Sequence, residues 1–153
     1  VKNIKKALCA FKVFAKYRLD VFVVTVGYGM ELFDKHVDLP FLTDSDLYLA
    51  YKSCYALLYP SLFEGFGYPP LEAMRFGKPI LSSNVCSMPE ILADAPIYFS
   101  PLYESAIFNA LMSLDDSNYS YYSKKSAKQY EEIRKKQEDD LSELVDMILN
   151  EYS

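Results

Sequence analysis

The sequence predicts an α/β fold, a Rossmann-like parallel sheet with helices on both faces. Two observations carry this expectation. Short runs of β-branched and aromatic residues alternate with segments of helical period, the order that builds right-handed strand-helix-strand crossovers. The five glycines fall in only three places: Gly27 and Gly29 after one such run, Gly65 and Gly67 after another, and Gly77 at the end of a helical segment. Glycine is reserved for turns.

The elements follow in order. Ile4, Ala7, Leu8, Phe11, Phe14 and Ala15 share one helical face, while Lys2, Lys5, Lys6, Lys12, Lys16 and Arg18 lie mostly off it, so the chain opens on an amphipathic helix. Residues 20–26 are a nearly unbroken β-branched and aromatic run, the pattern of a parallel strand covered on both faces, and Gly27-Tyr28-Gly29 closes it. A second short strand is expected over residues 37–42. Thr43-Asp44-Ser45-Asp46 then supplies short polar side chains for an N-cap ahead of a helix over residues 47–53. Residues 55–59 form the next strand. Pro69 and Pro70 start a helix, because a proline in the first turn forfeits only an amide that had no partner. That helix runs to residue 76 and ends at Gly77.

Residues 79–82 read as a strand. Ser87-Met88-Pro89-Glu90 has the form of a capping box before Ile91 and Leu92, and residues 96–99 are a last short strand. Helices are expected over residues 103–114 and 119–150. The charged segment 124–143 mixes both signs and reads as a solvated helix face. Residues 1–153 therefore form one domain, with 119–153 as its C-terminal helical segment.

Composition narrows the function. Half of the chain is hydrophobic (51%) and 16% is aromatic, as in a packed globular protein. The net charge of -5 argues against a surface built for phosphate backbones, so no nucleic-acid partner is expected. Cys9, Cys54 and Cys86 are odd in number and lack metal-ligand spacing; they read as buried small hydrophobes in a reducing compartment. The single histidine, His36, reads as a loop or surface residue, and no metal cofactor is indicated. No apolar run approaches the roughly 20 residues that span a bilayer. A cytoplasmic protein is expected. Peripheral contact with anionic lipid through the basic first helix stays open beside the simpler reading of a solvated outer face. The start at Val1, directly in a helical pattern, is what a piece of a longer protein would show.

In an open parallel sheet, ligands collect at the carboxyl ends of the strands, so both glycine turns are expected to border one crevice. Gly27-Tyr28-Gly29 lacks the third glycine of the dinucleotide fingerprint and reads first as a plain turn. The second loop says more. A strand ending at Pro60 leads into Glu64, then two glycines that let backbone amides approach a ligand, then a helix start able to hold an anion. Glu72 is expected in the first turn of that helix, projecting toward the same crevice. An ionised carboxylate accepts two hydroxyl hydrogens at once, which suits a vicinal diol on a sugar or ribose. The plainer alternatives are a helix-dipole role for Glu72 and an exposed turn acid at Glu64, each worth under about 1 kcal/mol.

These residues carry a resemblance. The run Pro60-Ser61-x-x-Glu64-Gly65-Phe66-Gly67-x-Pro69-x-Leu71-Glu72-Ala73-Met74, then Gly77-x-Pro79-Ile80, then Ser83-Asn84-x-x-Ser87-x-Pro89-Glu90, resembles the donor-binding half of family 4 glycosyltransferases, retaining enzymes of two-domain GT-B architecture. More loosely it reaches residues 1–115, with Lys2-Asn3 similar to the family's Lys-Asn or Lys-Gly pair and residues 24–29 similar to its strand and glycine turn. The resemblance implies that Glu72 holds the ribose hydroxyls and that Glu64 contacts the transferred sugar as a catalytic contributor. It implies that Gly65, Phe66, Gly67 and Leu71 line the donor, and that Lys2 neutralises the diphosphate leaving group. A fixed cation there stabilises charge that develops as the anomeric bond breaks. The implied reaction moves a hexose from a nucleoside-diphosphate sugar to a glycan, lipid or other acceptor with retention, without metal or other cofactor. Residues 39–46 correspond to the region that meets the base. Residues 83–90 resemble a crevice-closing loop whose capping box already gives it a structural purpose, with Cys86 replacing another small residue.

The resemblance also expects a first strand ending in a Gly-Arg turn before the lysine, and an entire acceptor-binding domain before that. Neither lies in this sequence, so the fragment alone is expected to bind donor weakly and not to transfer sugar. Two other readings stand beside this one. A non-catalytic nucleotide-sugar-binding or scaffold module would keep the same grip. A glycoside hydrolase also uses two carboxylates but has no need of a phosphate-binding helix start.

Overall fold

The computed structural model describes residues 2–151. In chain order the elements are α1 (Ile4–Phe14), β1 (Val23–Val26), β2 (His36–Leu39), α2 (Asp44–Ser53), β3 (Leu57–Tyr59), α3 (Tyr68–Met74), β4 (Ile80–Ser83), α4 (Met88–Leu92), β5 (Ile97–Phe99), α5 (Glu104–Ser113) and α6 (Tyr119–Glu151). Every strand pair is parallel, as the alternation of elements requires. The strands fall into two sheets, β1-β2 and β3-β4-β5, instead of one continuous sheet.

The three-stranded sheet is the centre of the molecule. Strand β4 is buried along its whole length, and its alternate residues face opposite sides. Leu81 joins Phe99, Ala10, Phe11, Phe14, Ile107 and Leu111 in a core shared with α1 and α5. Ile80 joins Tyr59, Leu71, Met74, Met88 and Leu92 in a second core beneath α3 and α4, flanked by Tyr130 and Ile133 of α6. Helices thus cover both faces, and each core hides apolar surface worth about 25 cal/mol per Å².

Strand β1 departs from expectation. Only Val23 and Thr25 are half-buried, whereas Val24 is 53% and Val26 is 41% exposed, so one face of the strand is open. Val21 and Val23 nevertheless pack on the core that includes Leu58 of β3. Among the described residues β1 pairs only with β2, and β3 only with β4, leaving each with an unpaired edge.

His36 is also not a surface residue. It begins β2 at 1% exposure, its ring against Phe33 and Tyr28. The cysteine expectation fails as well: Cys9 and Cys86 are exposed and only Cys54 is half-buried. Cys9 falls on the outward side of α1, and Cys86 sits in a tight turn with φ of 52°. Thr43 caps α2 as predicted, its hydroxyl accepting from the Asp46 amide at 3.2 Å. On α6, Arg134 pairs with Glu131 and Glu138, as a solvated charged face should. Among the described residues no helix is long and apolar enough to cross a membrane.

Candidate functional site

The carboxyl end of β3 assembles two of the expected site residues around the last residue of the strand expected over residues 55–59. Tyr59, the last residue of β3, is buried and its hydroxyl donates to a carboxylate oxygen (Oε2) of Glu64. The Lys2 ammonium lies over the same ring, 5.5 Å from its centroid, an attraction to the ring's negative face. Lys2 reaches this place because its backbone bridges Ser61, and the Asn3 amide donates to the Pro60 carbonyl at 2.7 Å. Burial first, and the Glu64 carboxylate second, push the Tyr59 hydroxyl above the ordinary tyrosine range, so it remains a donor at neutral pH.

The loop that follows is fixed at its start and braced from α4. The buried Ser61 hydroxyl donates to the Phe63 carbonyl at 3.0 Å, and Ser87 donates to the Glu64 carbonyl at 3.1 Å. The second bond corrects the capping-box expectation: Ser87 makes no side-chain cap on α4 and instead ties that turn to the loop. Tyr98 steadies the same helix, donating to the Ala93 carbonyl at 2.7 Å.

The two glycines of the loop differ. Gly67 has φ of +84°, and a Cβ there would lie 2.5 Å from Met88 Cε. Gly65 has no such φ, and a Cβ built on it meets nothing within 4 Å. Gly67 is required by the fold, while Gly65 faces open space. The helix start is a weaker anion site than expected: of the first three residues of α3, Pro69 and Pro70 carry no N–H, leaving Tyr68 alone with an amide to offer. Leu71 is turned into the core at 8% exposure, so its side chain packs and does not face a ligand.

Glu72 stands on α3, beyond the loop that carries Glu64. It is the fifth residue of α3, past the first turn, and lines a pocket of about 180 Å³ between α2 and α3 with Asp44, Tyr48, Tyr51, Arg75 and Phe76. Burial, and then a hydrogen bond to Glu72, push the Tyr51 hydroxyl up from its usual range. A larger cavity of about 450 Å³ opens on the other side, lined by Gly65, Phe66, Ser87, Ile91, Ile133 and Lys136 among others. Neither acid lines it. The expected site residues thus stand in the Tyr59 cluster, the Glu72 pocket and the cavity beside Gly65. Among the described residues no group of three or more His, Cys, Asp or Glu could hold a metal ion.

The Gly27-Tyr28-Gly29 turn is occupied by the protein itself. Asp38 accepts from the amides of Tyr28 (3.1 Å) and Gly29 (2.7 Å) and from the Thr25 hydroxyl (2.6 Å). The Leu32 amide donates to His36 Nδ1 at 3.1 Å, which leaves Nε2, 2.8 Å from Thr25 Oγ1, as the nitrogen that donates to that hydroxyl. Amides that could have met a phosphate are therefore taken. The Thr25 hydrogen bond, and then the two amides, hold the Asp38 carboxyl below its usual range. With a folded-state pKa below the unfolded value of about 3.9, this contribution is complete above that pH and is lost as pH falls through the folded value. The Tyr28 and Gly29 amide resonances are expected to shift on acidification below about pH 4 and to be shifted already at neutral pH in Asp38→Asn. Amides indifferent to both changes would show that Asp38 does not hold the turn.

Comparison with known proteins follows the same residues. The family model described as glycosyl transferases group 1 matches residues 1–135. Over 61 residues the chain is 51% identical to the serotype-specific mannosyltransferase WbdA of Escherichia coli, covering 40% of this chain and 8% of that protein. Over 82 residues it is 42% identical to O-antigen chain mannosyltransferase B of Escherichia coli, covering 53% and 22%. The sucrose-phosphate synthase of Thermosynechococcus elongatus superposes with a TM-score of 0.68 at 18% identity, over 76% of this chain and 31% of that one, a likeness of fold. The chain spans less than a quarter of either mannosyltransferase. With the family model matched over most of its length and the α/β architecture in place, this chain belongs to the glycosyl transferases group 1 family, of GT-B fold.

Proposed function

We propose that the chain is the nucleotide-sugar-binding domain of a retaining glycosyltransferase that moves a hexose to a glycan or lipid acceptor without metal or other cofactor. The observation that carries this reading is the meeting of Lys2 and Glu64 on Tyr59 at the carboxyl end of β3, beside the open face of Gly65. In it, Lys2 offsets charge developing on the diphosphate, Glu64 accepts from hydroxyls of the transferred sugar, and Glu72 accepts from the ribose. The amides of Gly65, Phe66 and Gly67 face the donor. The names of the relatives support a mannosyl donor and a place in building O-antigen-like polysaccharide.

The unpaired edges of β1 and β3 support a further parallel strand ahead of Lys2, with an acceptor-binding domain before it. In this reading the reaction runs in the cytoplasm. Lys5 and Lys12, exposed on α1, and Lys16, exposed just past it, support contact with an anionic membrane face.

The test is calorimetric titration of the full-length protein with nucleoside diphosphates and nucleoside-diphosphate hexoses. Binding of at least one is expected, and none binding would refute the reading. Glu72→Ala is expected to weaken nucleotide binding about tenfold, the worth of a lost hydrogen-bond acceptor. Unchanged affinity would return Glu72 to a packing role beside Tyr51.

A further inference from the structure

We propose that Tyr59 is a positioning residue for the transfer reaction, holding the Glu64 carboxylate in the orientation that receives the sugar; this rests on the glycosyltransferase reading above. The geometry is specific. Glu64 stands on an irregular loop, where a carboxylate has several rotamers and no helix or strand to select one. Tyr59 stands at the end of a buried strand, its ring locked in the core with Leu71, Met74, Ile80 and Met88. The core-held side chain donates to the loop-borne one, and the bond fixes one carboxylate oxygen, leaving Oε1 to accept from a ligand hydroxyl.

The same ring also carries Lys2 at 5.5 Å, so one tyrosine sets the place of both the cation and the anion of the site. Ser61 and Ser87 fix the backbone on either side of Glu64, and only its side chain is left to orient. Tyr59 supplies that last restraint. Preorganisation of this kind acts on the transition state more than on ground-state binding, because the donor is held mainly by its nucleotide.

Tyr59→Phe separates this role from packing, since it keeps the ring, the core contact and the face under Lys2 while deleting only the hydroxyl. The measurement is release of nucleoside diphosphate from a panel of nucleoside-diphosphate hexoses by the full-length protein, in wild type, Tyr59→Phe, Glu64→Gln and the double variant, with donor affinity and thermal stability recorded for each. The expected result is a kcat lowered about 10- to 100-fold in Tyr59→Phe with donor affinity within about threefold, and no further loss when the change is made in the Glu64→Gln background. Wild-type kcat in Tyr59→Phe, or an equal additional loss in the Glu64→Gln background, would overturn the positioning role while leaving the transferase reading intact. A wild-type protein that neither binds nor turns over any of the panel would overturn both.

Discussion

Gly67→Ala is expected to destabilise the domain by about 2–4 kcal/mol, a drop of roughly 10 °C in melting temperature for a chain of this size. Two independent costs add. A φ of +84° is unfavourable for any residue with a Cβ, and the new methyl would arrive 2.5 Å from Met88 Cε and 2.9 Å from its sulfur. A methionine end at the surface would step aside. Met88 cannot do so freely, because it is fully buried between α3, α4 and the sheet. Gly67 also explains the unusual start of α3: it occupies the N-cap position in the left-handed region, where no side chain caps the helix, and two prolines follow within the first turn. No side chain caps this helix start, so backbone preference sets it. A melting temperature within about 2 °C of wild type would mean that the loop relaxes around the methyl, and that its shape is softer than its packing implies.

The cluster shows why part of this site can be read from sequence and part cannot. The glycine loop, the following helix and the first cap are local features, and they appear where residue types demand them: Thr43 caps α2, the prolines open α3, and Gly77 with φ of +63° follows its end, whereas the Ser87 cap does not form. Lys2 and Glu64 stand some sixty residues apart in the chain, and it is the Lys2–Ser61 bridge with the Asn3–Pro60 hydrogen bond that makes them neighbours. Tyr59 had no sequence signal beyond a strand-forming aromatic. Its hydroxyl matters because the chain reverses at Ser61 and returns Glu64 to the strand it has just left. The burial of His36 is hidden for a related reason: it begins a strand, and Thr25 of β1 meets its ring only once β1 and β2 pair, with Tyr28 and Phe33 packing beside it. Glu72 lies past the first turn of α3 because the helix begins at Tyr68, one residue before the prolines, and it lines the pocket toward α2. The doubly covered strand failed because an apolar run records what a strand could bury, while the exposure of Val24 and Val26 records what the described residues put against it.

Gly65→Ala is expected to have the opposite signature to Gly67→Ala. Its backbone does not require glycine, and a Cβ there would meet no protein atom within 4 Å, so stability should stay within about 0.5 kcal/mol of wild type or rise slightly as the unfolded chain loses freedom. Structure alone gives no reason for glycine at this position. A reason appears if something outside the protein approaches the backbone closely, and the adjoining cavity of about 450 Å³ is large enough to admit it. A methyl placed on that path should weaken binding of a nucleoside-diphosphate hexose by about 10- to 100-fold, the equivalent of roughly 1.4–2.8 kcal/mol, while the free nucleoside diphosphate is affected less. Comparing the two ligands on one variant locates the sugar relative to the nucleotide. If both bind Gly65→Ala as they bind wild type, the donor does not pass over Gly65, and the sugar must be sought on the Glu72 side of α3.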